Sequence, residues 1–243
     1  MKLITLGTSH GATELNRSCS GNLFEINGCY YLFDCGCNVE SKMTNLGLPI
    51  DKIKVVFISH MHEDHVGNLS SIFKRFSYYM KGEKVTFYLP EKDGITAFKN
   101  WTKALHLPDA QDIVSINLIN EGVIYSDENV TVTAIPTKHL NNGDIPSYAF
   151  MLETKDRLVL YTGDLSGSFK DYPMVAYERD FDLILSELVH FNVENNLEDI
   201  IKSKTKKIVF THYLDCKVNS IMDNLDKFKF EVEIAKDEDV FEI

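Results

Sequence analysis

Val55-Val56-Phe57-Ile58-Ser59-His60-Met61-His62-Glu63-Asp64-His65-Val66-Gly67 is the stretch on which the reading turns. Val55–Ser59 is a continuous apolar run, as expected for a strand buried on both faces. It leads directly into four potential metal ligands: His60, His62, Asp64 and His65. Imidazole and carboxylate suit zinc, manganese and iron alike. A tight loop points such side chains in different directions, so the four need not serve one ion. That arrangement suits two ions a short distance apart, with further ligands from elsewhere in the chain. Packing alone explains H-x-H-x-D-H after a buried strand poorly.

Three more candidates each follow an apolar strand. His139 comes after Val130–Ile135, Asp164 after Leu158–Tyr161, and His212 after Ile208-Val209-Phe210. Strand ends are where α/β-type sites gather their polar groups. Any one of these histidines taken alone reads as a hydrogen-bonded or surface residue. Beside the H-x-H-x-D-H cluster, they read as its missing ligands.

Around this core the pattern alternates strands, turns and helices. Lys2–Leu6, Asn22–Ile26 and Tyr30–Phe33 read as strands, with a hairpin signal at Asn27-Gly28. Asn68–Met80 has helical spacing, Val85–Leu89 is a strand, and Pro90 opens a helix towards Leu105. Strands follow at Ile113–Ile119, Val123–Tyr125, Val130–Ile135, Tyr148–Glu153 and Leu158–Tyr161. The last third alternates Asp182–Leu185 (strand), Glu194–Ile201 (helix), Lys207–Phe210 (strand) and Val218–Phe228 (helix). No linker or short-period repeat interrupts residues 1–243, which read as one compact domain. Sheets sandwiched by helices, an α/β class, are the expected architecture.

The chain carries 44% hydrophobic and 25% charged residues and a net charge of −11. An acidic surface disfavours non-specific nucleic-acid binding. The short apolar N-terminus lacks a signal-peptide core, and no stretch approaches a membrane span, so a cytoplasmic location is expected. Five cysteines in a reducing compartment read as free thiols, and Cys35-Gly36-Cys37 lacks the partners of a structural zinc site. Lys202-Ser203-Lys204-Thr205-Lys206-Lys207 reads as a solvated helix end. The oligomeric state is open between monomer and homodimer.

H-x-H-x-D-H-x-G followed by separate His, Asp and His motifs resembles the metallo-β-lactamase superfamily over nearly the whole chain. The resemblance implies a four-layer αββα sandwich of two mixed sheets flanked by helices. It implies a dinuclear centre: His60, His62 and His139 on one divalent metal, Asp64, His65 and His212 on the other, Asp164 bridging, and a hydroxide between the ions as nucleophile. Two zinc ions suit the set best, with Mn²⁺ or Fe²⁺ as substitutes. Asp34 in Leu32-Phe33-Asp34-Cys35-Gly36 resembles a segment that orients a ligand; capping the turn into the next helix is the equal alternative.

Leu6-Gly7-Thr8, Phe33–Gly36, Phe57–His60 and Asp182-Leu183-Ile184-Leu185-Ser186-Glu187 resemble the tRNase Z and phosphodiesterase branch. Glu187 matches that branch's glutamate, while Ser186 stands where it has a histidine. His190 is the candidate to take over the proton-donating role, so Asp64, Glu187 and His190 are the catalytic expectations. Only 25 positions separate His139 from Asp164, too few for the tRNA-gripping arm of that branch. A small or short phosphodiester (cyclic nucleotide, cyclic phosphate or short nucleic acid) therefore fits better than a large RNA, and no membrane partner is expected. The rival readings are a lactone or thioester hydrolase of the same superfamily and a non-catalytic metal- or partner-binding module. Ile135-Pro136-Thr137-Lys138-His139-Leu140-Asn141 lacks the glycine and threonine expected around the esterase histidine. His10 and Tyr213 are further candidates for substrate contact.

Overall fold

A computed structural model describes residues 1–80 and 82–243. The strands and helices in chain order are β1 Lys2–Gly7, β2 Gly21–Ile26, β3 Cys29–Phe33, α1 Val39–Asn45, β4 Ile53–Phe57, α2 Glu63–Val66, α3 Leu69–Lys74, β5 Val85–Leu89, α4 Lys92–Ala104 and β6 Val114–Leu118. There follow β7 Gly122–Ser126, β8 Thr131–Pro136, β9 Tyr148–Glu153, β10 Leu158–Tyr161, α5 Val175–Glu178, β11 Leu183–Leu188, α6 Val193–Ile201, β12 Lys207–Tyr213, α7 Asp215–Met222, β13 Glu231–Ile234 and β14 Val240–Glu242.

The chain divides into two compact units, the first made of Met1–Gly7, Gly11–Ile119 and Asp237–Glu242. Among the described residues its sheet has seven strands in the order β14-β1-β2-β3-β4-β5-β6. Pairing is antiparallel from β14 to β3 and parallel from β3 to β6. The β2–β3 hairpin turns through Asn27 (φ 51°) and Gly28 (φ 77°), a left-handed pair that asparagine and glycine tolerate. β4 lies between parallel neighbours with Val55, Val56 and Phe57 fully buried. The strand ends at Phe57 rather than Ser59; the Ile58 N–H still donates to Tyr88 O at 2.9 Å, and Ile58-Ser59 form a buried lead-in to His60. Leu6, Leu32, Val56, Ile58, Leu69, Ile72, Phe76 and Phe87 form the core of this unit. The helix expected over 68–80 is α-helical only to Lys74, and a wider π turn then carries Arg75–Tyr79.

The second unit comprises Thr8–His10, Asn120–Lys236 and Ile243. Among the described residues its sheet also has seven strands, ordered β13-β12-β11-β10-β9-β8-β7. It is antiparallel from β7 to β10 and parallel from β10 to β13. Every residue of β11 is buried, so this strand shows no alternation. Leu160, Ile184, Leu188, Ile208 and Phe210 pack with Ala176, Phe191 and Val193. The final helix starts at Asp215 rather than Val218, where an acidic residue in the first turn favours the helix dipole. β13 and β14 escaped the sequence reading because their glutamates mask the apolar alternation of edge strands. Among the described residues no helix is long and apolar enough to cross a membrane.

Candidate metal centre

In the first unit, the loop after β4 bends at His62 (φ −63°, ψ 147°) into the four-residue helix α2. The N–H groups of His65 and Val66 close that turn on the His62 carbonyl at 3.0 and 3.1 Å. The turn buries Asp64 and His65 and leaves His62 exposed. The four expected ligands do converge. His60 Nε2 lies 2.9 Å from His62 Nδ1, and His65 Nε2 lies 3.4 Å from Asp64 Oδ2.

Asp34 organises this group from the end of β3. It is fully buried in the left-handed region (φ 61°), a conformation that costs energy in a non-glycine residue and persists where its surroundings enforce it. Its Oδ1 accepts the Ser59 N–H at 2.7 Å, and its Oδ2 accepts the Ser59 hydroxyl at 2.9 Å. His65 Nδ1 lies 2.8 Å from the same Oδ2. Ser59 Oγ is in turn 3.0 Å from His60 Nδ1. Asp34 thus orients one imidazole directly and another through a hydroxyl. The capping alternative fails, since Asn38 caps α1 by accepting the Ser41 N–H. Backbone bonds dock the ligand loop on the segment after Asp34: Cys35 N–H to His65 O at 2.7 Å, and Ser20 N–H to Asp64 O at 3.0 Å. Gly36 permits that approach, because a Cβ there would sit 1.7 Å from Asp64 O.

In the second unit, three histidines gather around Asp164, which is buried after β10. His139 Nε2 and His212 Nε2 lie 3.7 and 3.4 Å from Asp164 Oδ2. His139 Nδ1 faces the Leu165 carbonyl at 3.2 Å, and His212 Nδ1 faces the Ser9 carbonyl at 2.9 Å. His212, at the end of β12, is held at φ 45°. His190 Nδ1 is 3.2 Å from Glu187 Oε1 and 3.7 Å from Asp164 Oδ2. Glu187 is fully buried and accepts the N–H groups of Leu165, Val189 and His190. Ligand atoms of Asp164, His190 and His212 all lie within 4.8 Å of one another.

The chemistry of the donor set fits divalent cations. An oxygen acceptor at Nδ1 of His65, His139 and His212 puts the ring proton there, which leaves Nε2 with its lone pair. In the second unit those lone pairs converge with a carboxylate. Cysteine is not part of any such group among the described residues. All five thiols are free; burial pushes the Cys37 thiol up to about 12 and raises Cys35 well above its ordinary value, so both stay protonated and ligate poorly.

The acceptors Ser9 O and Leu165 O were beyond sequence reasoning, because a backbone carbonyl carries no residue signature. The loop containing His10 does serve the site of its own unit, through the Ser9 carbonyl. Tyr213 is buried, and its N–H donates to Thr8 O at 3.3 Å. The basic run is a paired surface: Lys202 meets Asp199, Lys206 meets Asp182, and Lys207 meets Glu231 and Glu233.

The metallo-β-lactamase fold protein YhfI from Bacillus subtilis superposes with a TM-score of 0.79 at 22% identity, covering 99% of this chain and 98% of that one. The fold is therefore the metallo-β-lactamase fold, with the two mixed, helix-flanked sheets that the sequence resemblance implied. Ribonuclease Z of Methanocaldococcus jannaschii is 31% identical over 156 residues, 63% of this chain and 47% of its own length. The chain spans about half the length of the curated ribonuclease Z relatives it matches. The anti-Pycsar protein Apyc1 of Bacillus phage 010DV004 is 24% identical over 235 residues, 88% of this chain and 90% of that protein. Residues 1–233 match the family described as anti-Pycsar protein Apyc1, and the chain belongs to that family.

Proposed function

We propose that the protein is a metal-dependent phosphodiesterase acting on a small or short phosphodiester. In this reading His60, His62 and His139 hold one divalent cation, Asp64, His65 and His212 hold a second, and Asp164 bridges them. The observation that carries it is that Nδ1 of His65, His139 and His212 each faces an oxygen acceptor, an arrangement that favours one shared tautomer. A lone structural histidine has no need of such an arrangement, whereas a ligand histidine is commonly oriented this way. The motif order shared with the superfamily and the family membership support joining both sets in one centre. Zinc suits these ligands best, and Mn²⁺ or Fe²⁺ also suit them. Bound there, divalent cations supply Lewis acidity that offsets the charge building on phosphoryl oxygens.

The chain's own residues account for proton transfer and orientation. Asp34 and Ser59 fix the imidazoles of the first unit. Glu187 holds His190 at Nδ1, so that Nε2 is the atom available to substrate. As hydroxide attacks phosphorus and the P–O bond to the leaving group breaks, His190 as the imidazolium passes its Nε2 proton to the leaving oxygen and is left neutral. Glu187, fully buried and bonded to three backbone N–H groups, acts by position.

Substrate size follows from the 25-position interval before Asp164 and from charge. A net charge of −11 and a lysine run occupied by carboxylates offer little to a long phosphate backbone. Cyclic nucleotides, cyclic phosphates and short nucleic acids remain. Five free thiols suit a reducing, cytoplasmic compartment. The carboxylic-ester alternative lacks its glycine and threonine around His139. Suitable side chains at all seven ligand positions argue against a degenerate, non-catalytic scaffold.

The test is hydrolysis of bis(p-nitrophenyl) phosphate by zinc- or manganese-loaded protein, with Asp164→Ala as the control. Turnover that falls by orders of magnitude in the control is expected. A protein shown to hold two metals that leaves the diester intact would sink the phosphodiesterase reading and direct assays to lactones and thioesters. Light scattering on the same sample distinguishes monomer from homodimer.

A further inference from the structure

Asp171, in the loop between β10 and α5, belongs to none of the motifs above and is 8% exposed. Its Oδ2 accepts the backbone N–H of Lys138 at 2.7 Å and that of Ser166 at 2.9 Å. Its Oδ1 accepts the Ser166 hydroxyl at 2.6 Å. Lys138 immediately precedes His139, and Ser166 lies two positions after Asp164. One carboxylate thus joins the two backbone segments that carry these candidate ligands. The same segments are linked again where His139 Nδ1 meets Leu165 O at 3.2 Å and where the Thr137 hydroxyl donates to Asp164 O at 3.1 Å. Those two contacts run between the ligand segments themselves; Asp171 is the outside brace.

The loop is built to present that carboxylate. Phe169 sits at φ 59°, a left-handed conformation that a bulky residue adopts only when its surroundings enforce it. Its ring is held by Tyr172 at 4.6 Å and Phe191 at 4.5 Å between centroids. The Tyr172 hydroxyl is fixed on Ser203 at 2.9 Å. With Phe169 and Tyr172 anchored in the core on either side, Asp171 is turned inward onto the two segments.

We propose that Asp171 is a positioning residue that sets the spacing of His139 and Asp164 and thereby the affinity of the centre for metal. The inference rests on the reading of His139 and Asp164 as ligands. Removing a carboxylate that holds the supports of two ligands lets both drift, and a centre needs its donors placed to a fraction of an ångström. An amide in its place keeps the brace: its oxygen accepts both N–H groups, and its NH₂ donates to Ser166 Oγ.

The experiment is zinc binding by competition with a chromogenic chelator, on metal-stripped full-length Asp171→Ala, Asp171→Asn and Asp164→Ala proteins, with circular dichroism melts of each metal-free form. Asp171→Ala is expected to weaken zinc about 10–100-fold, the usual cost of losing an outer-shell partner. Asp171→Asn is expected to stay within about threefold of wild type, since it keeps the bonds. Wild-type zinc affinity in Asp171→Ala, with affinity lost in Asp164→Ala, overturns the proposal and leaves the metal reading standing. An Asp164→Ala protein that binds zinc normally overturns the metal reading itself. Should Asp171→Ala fail to melt cooperatively, Asp171→Glu carries the test: it keeps the charge but displaces it by one methylene, and unchanged zinc affinity there overturns the proposal.

Discussion

Replacing Asp34 by asparagine changes one oxygen to NH₂ in a fully buried position. The native carboxylate accepts three donors, Ser59 N–H, Ser59 O–H and His65 Nδ1–H, at 2.7, 2.9 and 2.8 Å. An asparagine must turn its NH₂ either to Ser59 N–H, a donor that cannot change, or to His65 Nδ1. The first choice leaves a buried N–H without an acceptor, at about 1–3 kcal/mol. The second forces the His65 proton to Nε2 and removes the lone pair a metal needs. Either way metal affinity falls, and the usual range for an outer-shell change is about 10–100-fold, or about 1.4–2.7 kcal/mol. The assay is zinc competition against a chelator, with a thermal melt of the metal-free protein to separate folding from binding. Asparagine tolerates the φ of 61° well, so backbone strain does not confound the comparison. Wild-type zinc affinity in Asp34→Asn would refute the tautomer argument, and with it the observation on which the functional reading stands.

Other consequences are as direct. Gly36→Ala places a Cβ 1.7 Å from Asp64 O; overpacking against backbone costs about 1–3 kcal/mol or more, seen as a melting temperature lower by several degrees. His190→Ala should reduce diester turnover by about 10²–10⁴-fold, the range of general acid catalysis. It should cost much less on a diester whose leaving group needs no proton, such as p-nitrophenolate, and equal losses on good and poor leaving groups would remove its proton-donor role. The Cys37 thiol ionises near 9.0 when unfolded and about 12 when folded. Between those values the native state holds a proton that the unfolded state has released, so stability falls as pH rises from 9.0 towards 12. Cys37→Ala should flatten that decline in denaturant midpoints measured across the alkaline range, and an unchanged slope would show the thiol is not its source.

The sequence determined the candidate ligands and the strands that precede them. A hydrophobic run followed by H-x-H-x-D-H is local information, as is Asn27-Gly28, whose left-handed turn the structure contains. Tyr148–Glu153 and Leu158–Tyr161 emerged with the boundaries their apolar pattern indicated. β13 and β14 stayed hidden because an edge strand's glutamates look like loop until a partner strand is in place.

What the tertiary structure alone decided is which atom each imidazole presents. His212 takes its Nδ1 acceptor from Ser9, 203 positions away, and His65 from Asp34, 31 positions away. Asp171 reaches 33 positions back to the Lys138 N–H. Residue type fixes which groups donate and accept, but pairing across such separations depends on sheet register and on residues held at unfavourable φ, such as Asp34, Phe169 and His212. Neither leaves a periodic trace in the chain, because the energy that enforces them comes from packing around the site rather than from neighbours in sequence.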